Sequence, residues 1–351
     1  MAHIAKGLTI RICQLTALRV CQRRSLSLSV PRGAAVAPSK RVDLGGVFPP
    51  MPTPFNPDES VNYDKFATNI EAWNKAPFKG LVVQGSNGEY VYLSTEERID
   101  LVKCVRDSLP RDSGKIILAG SGCESTSDLL IPLLIPQATR ATIEMSEKMA
   151  KAGADAVMVV TPSYYKPGMK DEALHSHFTA VADYSPVPVI LYSVPAFTVI
   201  DLSLDVIAAL AQHPNIIGIK ESGGDISKIG AIVHRTRSCD FQVLAGSASF
   251  FLPCLQIGGV GAVAALANVL GSAVCDLHKL ALAGDMEAAV PLQRKLIGPN
   301  AAVTKGFGIP GLKQVMDWMG LYGGPTRSPL QSLSEQETVK LRKIFVDAGY
   351  L

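Results

Sequence analysis

Eight short apolar runs, each closed by turn or polar residues, recur along this chain and restrict what it can fold into. They cover 46–48, 80–84, 115–119, 156–160, 188–192, 216–220, 242–245 and 259–263, starting 17 to 41 residues apart. Their hydrophobicity is continuous rather than alternating, which is the pattern of strands covered on both faces. Between them the spacing predicts helices over 63–75, 95–107, 141–152, 171–183, 203–212 and 225–237, several opening on Ser, Thr or Asp. Ser94-Thr95-Glu96-Glu97 has the form of a capping box. Strand–helix alternation repeated eight times predicts an α/β protein of the (β/α)8 TIM-barrel class rather than an open doubly wound sheet. An open sheet would also call for a glycine-rich phosphate loop, and 80–88 contains neither GxGxxG nor a Walker pattern. From Val269 the pattern turns helical over 269–283, 286–297, 309–319 and 334–348, more than one barrel helix needs. The expected organisation is a leader over 1–42, a barrel over 43–268, and over 269–351 the last barrel helix plus a C-terminal helical extension.

Charge separates the leader from the body. The net charge is +3, from 34 basic and 31 acidic residues, but eight basic and no acidic residues precede Asp43. The body therefore carries about −5 (26 basic against 31 acidic) and offers no basic stripe for nucleic acid. In the head, Leu8, Ile12, Leu15 and Leu18 recur at helical spacing with Arg11 and Arg19 between them. An Arg-rich, Ser-dotted, acid-free head of this kind predicts a mitochondrial transit peptide and a matrix location. No apolar run reaches the roughly 18 residues that cross a bilayer, so no membrane partner is expected. Leu129-Leu130-Ile131-Pro132 is repeated at once as Leu133-Leu134-Ile135-Pro136, and these prolines forbid a continuous helix. The stretch 127–140 is either an interaction loop or lid beside the third strand, or an atypical insertion at a helix start; the latter is preferred. The cysteines after the leader (104, 123, 239, 254 and 275) show no CxxC spacing and are read as reduced, mostly buried thiols. His175 and His177 diverge on a helix, which predicts surface residues rather than metal ligands.

Chemistry is concentrated where the runs end. The sixth run, Ile216 to Ile219, stops at Lys220, and barrels place their reactive groups at the carboxyl ends of strands. Apolar neighbours there disfavour an ammonium, and a neutral amine attacks a ketone to form a Schiff base. After the second run, Gly85-Ser86-Asn87-Gly88-Glu89 forms a small turn whose N–H groups and the Ser86 and Asn87 side chains suit a carboxylate. The fourth run ends Thr161-Pro162-Ser163-Tyr164-Tyr165, the fifth at Tyr192-Ser193, and the seventh at Gly246, which lets a ligand approach the backbone.

GSNGE (85–89), VVTPSYY (159–165), LYSVP (191–195) and GIKES (218–222) resemble, in order and spacing, the motifs of the dihydrodipicolinate synthase/N-acetylneuraminate lyase family of class I pyruvate aldolases. The resemblance runs from about Leu44 to Leu351, apart from the segment near 127–140. It implies that Lys220 forms an imine with a 2-oxo acid substrate and that Tyr192 is the acid/base. It also implies that Ser86 and Tyr164 form the proton relay, that Asn87 holds the C1 carboxylate, and that Ser222 and Gly246 line the pocket. Neither a metal nor an organic cofactor is implied, and the assembly implied is a homotetramer. GSNGE, LYSVP, FGIPGLK (307–313) and the basic leader together look most like the members that cleave 4-hydroxy-2-oxoglutarate to pyruvate and glyoxylate. The run Ala196-Phe197-Thr198-Val199 lacks the arginine that the synthases of the family usually carry, and it replaces the Asn-Thr-Gly of the aldolases. Phe197 and Val199 are expected to narrow or reshape the distal pocket. An N-acetylneuraminate lyase-like activity and a non-catalytic isoform that only binds 2-oxo acids or joins oligomers stay open as alternatives.

Overall fold

A computed structural model describes residues 42–110, 112–123 and 138–351. The leader up to residue 41, the LLIPLLIP repeat and most of the 127–140 segment lie outside the described residues. Strands and helices alternate as β1 (Gly46–Phe48), α1 (Tyr63–Asn74), β2 (Gly80–Val83), α2 (Thr95–Ser108), β3 (Ile116–Gly120), α3 (Ala138–Ala152) and β4 (Ala156–Val160). They continue as α4 (Asp171–Tyr184), β5 (Val189–Ser193), α5 (Pro195–Thr198), α6 (Leu204–Leu210), β6 (Ile216–Glu221), α7 (Ile226–Arg235), β7 (Gln242–Ala245), α8 (Phe251–Gln256) and β8 (Gly261–Val263). The C-terminal extension is α9 (Gly271–Leu282), α10 (Met286–Ala301), α11 (Gly308–Trp318) and α12 (Glu335–Asp347).

All strand pairs are parallel, in the order β1-β8-β7-β6-β5-β4-β3-β2. The ring closes between β1 and β2 by a bridge of Pro50 to Val82, with Val82 N–H donating to Pro49 O at 3.0 Å. Pro49 and Pro50 have no N–H to donate, so the two strands meet in this single bridge, completed by Met51 N–H to Val82 O at 3.0 Å, rather than in a continuous ladder. The chain is thus a (β/α)8 barrel with C-terminal helices.

Side chains alternate across each strand and build two cores. Phe48, Val82, Leu118, Met158, Ile190 and Leu244 fill the barrel interior. Val47, Leu81, Ile117, Val157, Leu191 and Val243 meet the surrounding helices. Both faces are therefore dry, which is why the runs show no alternation.

Several boundaries move, for local reasons. Gln84 leaves the end of the second run because its φ is +61°, so β2 stops at Val83. Pro188 and residues 259–260 precede rather than belong to β5 and β8. The short α8, which carries Pro253 in its first turn, has no expected counterpart. His177 is buried, not on the surface, and its Nδ1 lies 2.8 Å from Thr139 Oγ1. It follows Leu174 by three residues and so shares the inward face of α4 with Phe178 and Val181. Of the five cysteines among the described residues, all free thiols, Cys254 and Cys275 are buried and Cys104, Cys123 and Cys239 are half-buried.

Candidate active site

The parallel register places Tyr192 of β5 directly beside Lys220 of β6. Tyr192 belongs to the interior layer with Ile190, and the two-residue period gives Lys220 the same direction. Both side chains are almost fully buried, at 5% and 3% exposure. The Lys220 Nζ lies 3.9 Å from the centroid of the Tyr192 ring. On its far side the Tyr192 hydroxyl meets Ser86 Oγ at 3.2 Å. A chain of amine, aromatic ring, phenol and hydroxyl thus crosses the carboxyl end of the barrel from β6 through β5 to the turn after β2.

That turn is a single 3₁₀ turn, Ser86–Gly88, closed by Gly88 N–H to Gly85 O at 2.8 Å. It carries Asn87, half-buried, beside Ser86. A cleft of about 220 Å³, open to solvent, lies against it and is lined by Ser86, Gln84, Tyr90, Gly120, Met158 and Tyr192 among others.

The next residues outward point away from the pocket and brace it. Glu221 is buried on the outer face, accepting from Gly223 N–H at 2.6 Å, with Lys228 Nζ 3.1 Å from its other oxygen. Lys228 also pairs with Asp201, which accepts from Ser193 Oγ at 3.1 Å. This network ties the ends of β5 and β6 together behind Tyr192 and Lys220. Ser222 and Gly246 are in contact: Gly246 N–H donates to Glu221 O at 2.8 Å, and a Cβ on Gly246 would fall 1.8 Å from Ser222 Oγ. Ser222 Oγ is buried with no protein group hydrogen-bonded to it.

Two expected residues stand apart. Tyr164 lies on the loop after β4, 78% exposed, its ring edge-on to Tyr165 at 5.0 Å. Phe197 is 71% exposed and, like Lys220, Asn87, Ser222 and Gly246, is not among the residues lining the cleft. Sequence reasoning also passed over Gln84 and Arg98. Arg98, buried, donates to Gln84 Oε1 at 3.0 Å and to Gly120 O at 2.9 Å, holding the cleft floor. Arg98 occupies an ordinary amphipathic helix position, so nothing local marked it.

Residues 43–348 match the profile of the dihydrodipicolinate synthetase family. The 4-hydroxy-tetrahydrodipicolinate synthase of Haloarcula marismortui is 35% identical over 305 residues, covering 86% of this chain and 93% of that protein. That of Methanospirillum hungatei is also 35% identical, over 302 residues, covering 85% and 97%. The crystal structure of the chloride-inhibited dihydrodipicolinate synthase of Acinetobacter baumannii complexed with pyruvate superposes with a TM-score of 0.79 at 29% identity, covering 88% of this chain and 100% of that one.

Proposed function

The chain belongs to the dihydrodipicolinate synthetase family, and from that premise we propose that it is a class I aldolase that cleaves 4-hydroxy-2-oxoglutarate to pyruvate and glyoxylate. The observation that carries the Schiff-base reading is the buried Lys220–Tyr192 pair with Ser86 on the phenol. In the proposed reaction the Lys220 amine attacks the C2 ketone and water leaves, giving a protonated imine. Tyr192 takes the C4 hydroxyl proton, the C3–C4 bond breaks, and its electron pair flows into the imine to form an enamine. C4 and C5 depart as glyoxylate, the enamine is protonated at C3, and hydrolysis releases pyruvate and the amine. Ser86 relays the proton from the Tyr192 hydroxyl, joined, by the family resemblance and not by its exposed position, by Tyr164; Asn87 and the N–H groups of its turn hold the C1 carboxylate, and Ser222 and Gly246 line the pocket.

The choice of substrate rests on the absence of arginine from 196–199. The names of the relatives favour a second reading, condensation of pyruvate with an amino-aldehyde acid. Both pass through an adduct of pyruvate on Lys220, at the end of the cleavage and at the start of the condensation, so the test has two stages. Incubation with pyruvate and sodium borohydride should add a mass on Lys220 that is lost in Lys220→Ala; a folded protein that takes no adduct would sink the aldolase reading. Glyoxylate release from 4-hydroxy-2-oxoglutarate, set against condensation with aspartate semialdehyde, then decides between the two. We also propose a mitochondrial matrix location and a homotetramer. Fusing residues 1–42 to a fluorescent protein tests the first, and light scattering of the purified chain tests the second.

A further inference from the structure

The turn that carries Ser86 and Asn87 ends at Glu89, a non-glycine residue in the left-handed region (φ 54°, ψ 32°). Its side chain is wholly buried, which is rare for a carboxylate unless it is paired. One oxygen lies 2.6 Å from Lys313 Nζ, and the other accepts from Arg327 N–H at 2.9 Å. Lys313, on α11, is 1% exposed and also donates to Pro325 O at 2.7 Å. Its ammonium lies 4.6 Å from the Phe55 ring centroid, and the Arg327 guanidinium lies 4.4 Å from the same ring. Arg327 in turn grips both oxygens of Glu97 and, at 2.6 Å, the carbonyl of Glu59. Burial pushes the Lys313 ammonium towards neutrality while Glu89 opposes it. Glu89 and Lys313 therefore depend on each other.

A buried ion pair is a poor device for stability alone, because desolvation offsets its attraction and an apolar pair of similar volume serves as well. What this pair adds is direction. It fixes the last residue of a strained turn whose first residue touches the Tyr192 hydroxyl. We propose that Lys313 and Glu89 are positioning residues, their ion pair locking the Ser86–Gly88 turn so that the C-terminal helical extension is part of the active-site machinery. The inference rests on the aldolase reading for its effect on rate, but not for its effect on the turn.

Amide hydrogen exchange on the full chain tests the lock without reference to activity. Lys313→Met and Glu89→Gln should speed exchange of the amides of 85–89 at least tenfold, with β4, β5 and β6 unchanged. The double variant, which leaves no unpaired charge, should recover much of the protection. In the same proteins kcat for 4-hydroxy-2-oxoglutarate cleavage should fall at least tenfold in the singles with KM within about threefold, and recover in part in the double. Glu89→Gln keeps its size and an acceptor for Arg327 N–H, and so stands in if Lys313→Met does not fold. Unchanged exchange at 85–89 in either folded single variant overturns the lock. Faster exchange with unchanged kcat and KM overturns the positioning role. Wild-type protein that traps no pyruvate overturns the aldolase reading instead, and the exchange data alone then judge the lock.

Discussion

Val199 holds a left-handed backbone (φ 58°, ψ 11°) although its side chain is β-branched and 67% exposed. Such a residue crowds its own carbonyl there, at a cost of roughly 1–2 kcal/mol that glycine does not bear. Val199→Gly should therefore raise stability by about 1 kcal/mol, offset slightly by the looser unfolded chain, and raise Tm by roughly 1–2 °C in a calorimetric scan. At Gly246 the sign reverses. A methyl group would sit 1.8 Å from Ser222 Oγ and 2.8 Å from its Cα, so Gly246→Ala must push the Ser222 backbone. Borohydride trapping of pyruvate should slow at least tenfold in this variant, whereas wild-type trapping would show that the two residues do not line the reacting pocket. Tyr192→Phe keeps the ring over Lys220 and removes only the hydroxyl that meets Ser86. Pyruvate should still be trapped, while cleavage falls by about 10²–10⁴, the usual worth of a positioned acid/base. Lys220, Tyr192 and Ser86 were legible because each ends an apolar run in a distinctive motif. The exposure of Phe197 was not legible, since α5 rather than the strand sets where that side chain goes.

Among the elements, α2 shows how much a local pattern can fix. Ser94 N–H donates to Glu97 Oε2 at 2.8 Å and Glu97 N–H to Ser94 Oγ at 3.2 Å, the capping box read from the sequence. Ser94→Ala should cost about 1 kcal/mol in a urea titration. The same Glu97 also receives Arg327 from beyond α11, at 2.7 and 2.8 Å, which no local pattern announces. Arg327, chiefly through this hydrogen bond, lowers the Glu97 carboxyl below its usual value of 4.5. Because the folded value is the lower one, the stabilisation is present above about pH 4.5 and is lost as pH falls through the folded value. Glu97 is partly exposed, so the effect is modest. Urea midpoints of the wild type should fall more steeply between about pH 5 and pH 3 than those of Arg327→Met; parallel curves would show that the pair adds nothing.

Across the whole molecule, the two cores meet at the sheet and should melt as one unit. Burial pushes the Cys254 thiol up to about 12 and the Cys275 thiol up to about 11. At pH 8 a thiol reagent should therefore label half-buried Cys123 and Cys239 first, and Cys254 and Cys275 only at the rate of global opening, as read by mass spectrometry. Early labelling of Cys254 would instead reveal local opening of α8.

What the sequence determined by itself was the repeat. Strands dry on both faces and amphipathic helices leave periodic traces within a dozen residues, and a lysine ending the sixth run stands out against them. Where each run ends was less secure, because a single positive φ, as at Gln84, or a proline moves a boundary without changing hydrophobicity. Tertiary structure alone decided which groups meet. Register set Tyr192 against Lys220. Packing turned His177 inward. The C-terminal extension brought Arg327 back to Glu89 across 238 positions of chain. Such pairings depend on loop closures and buried charge balance, which act between residues distant in sequence and so leave no periodic mark.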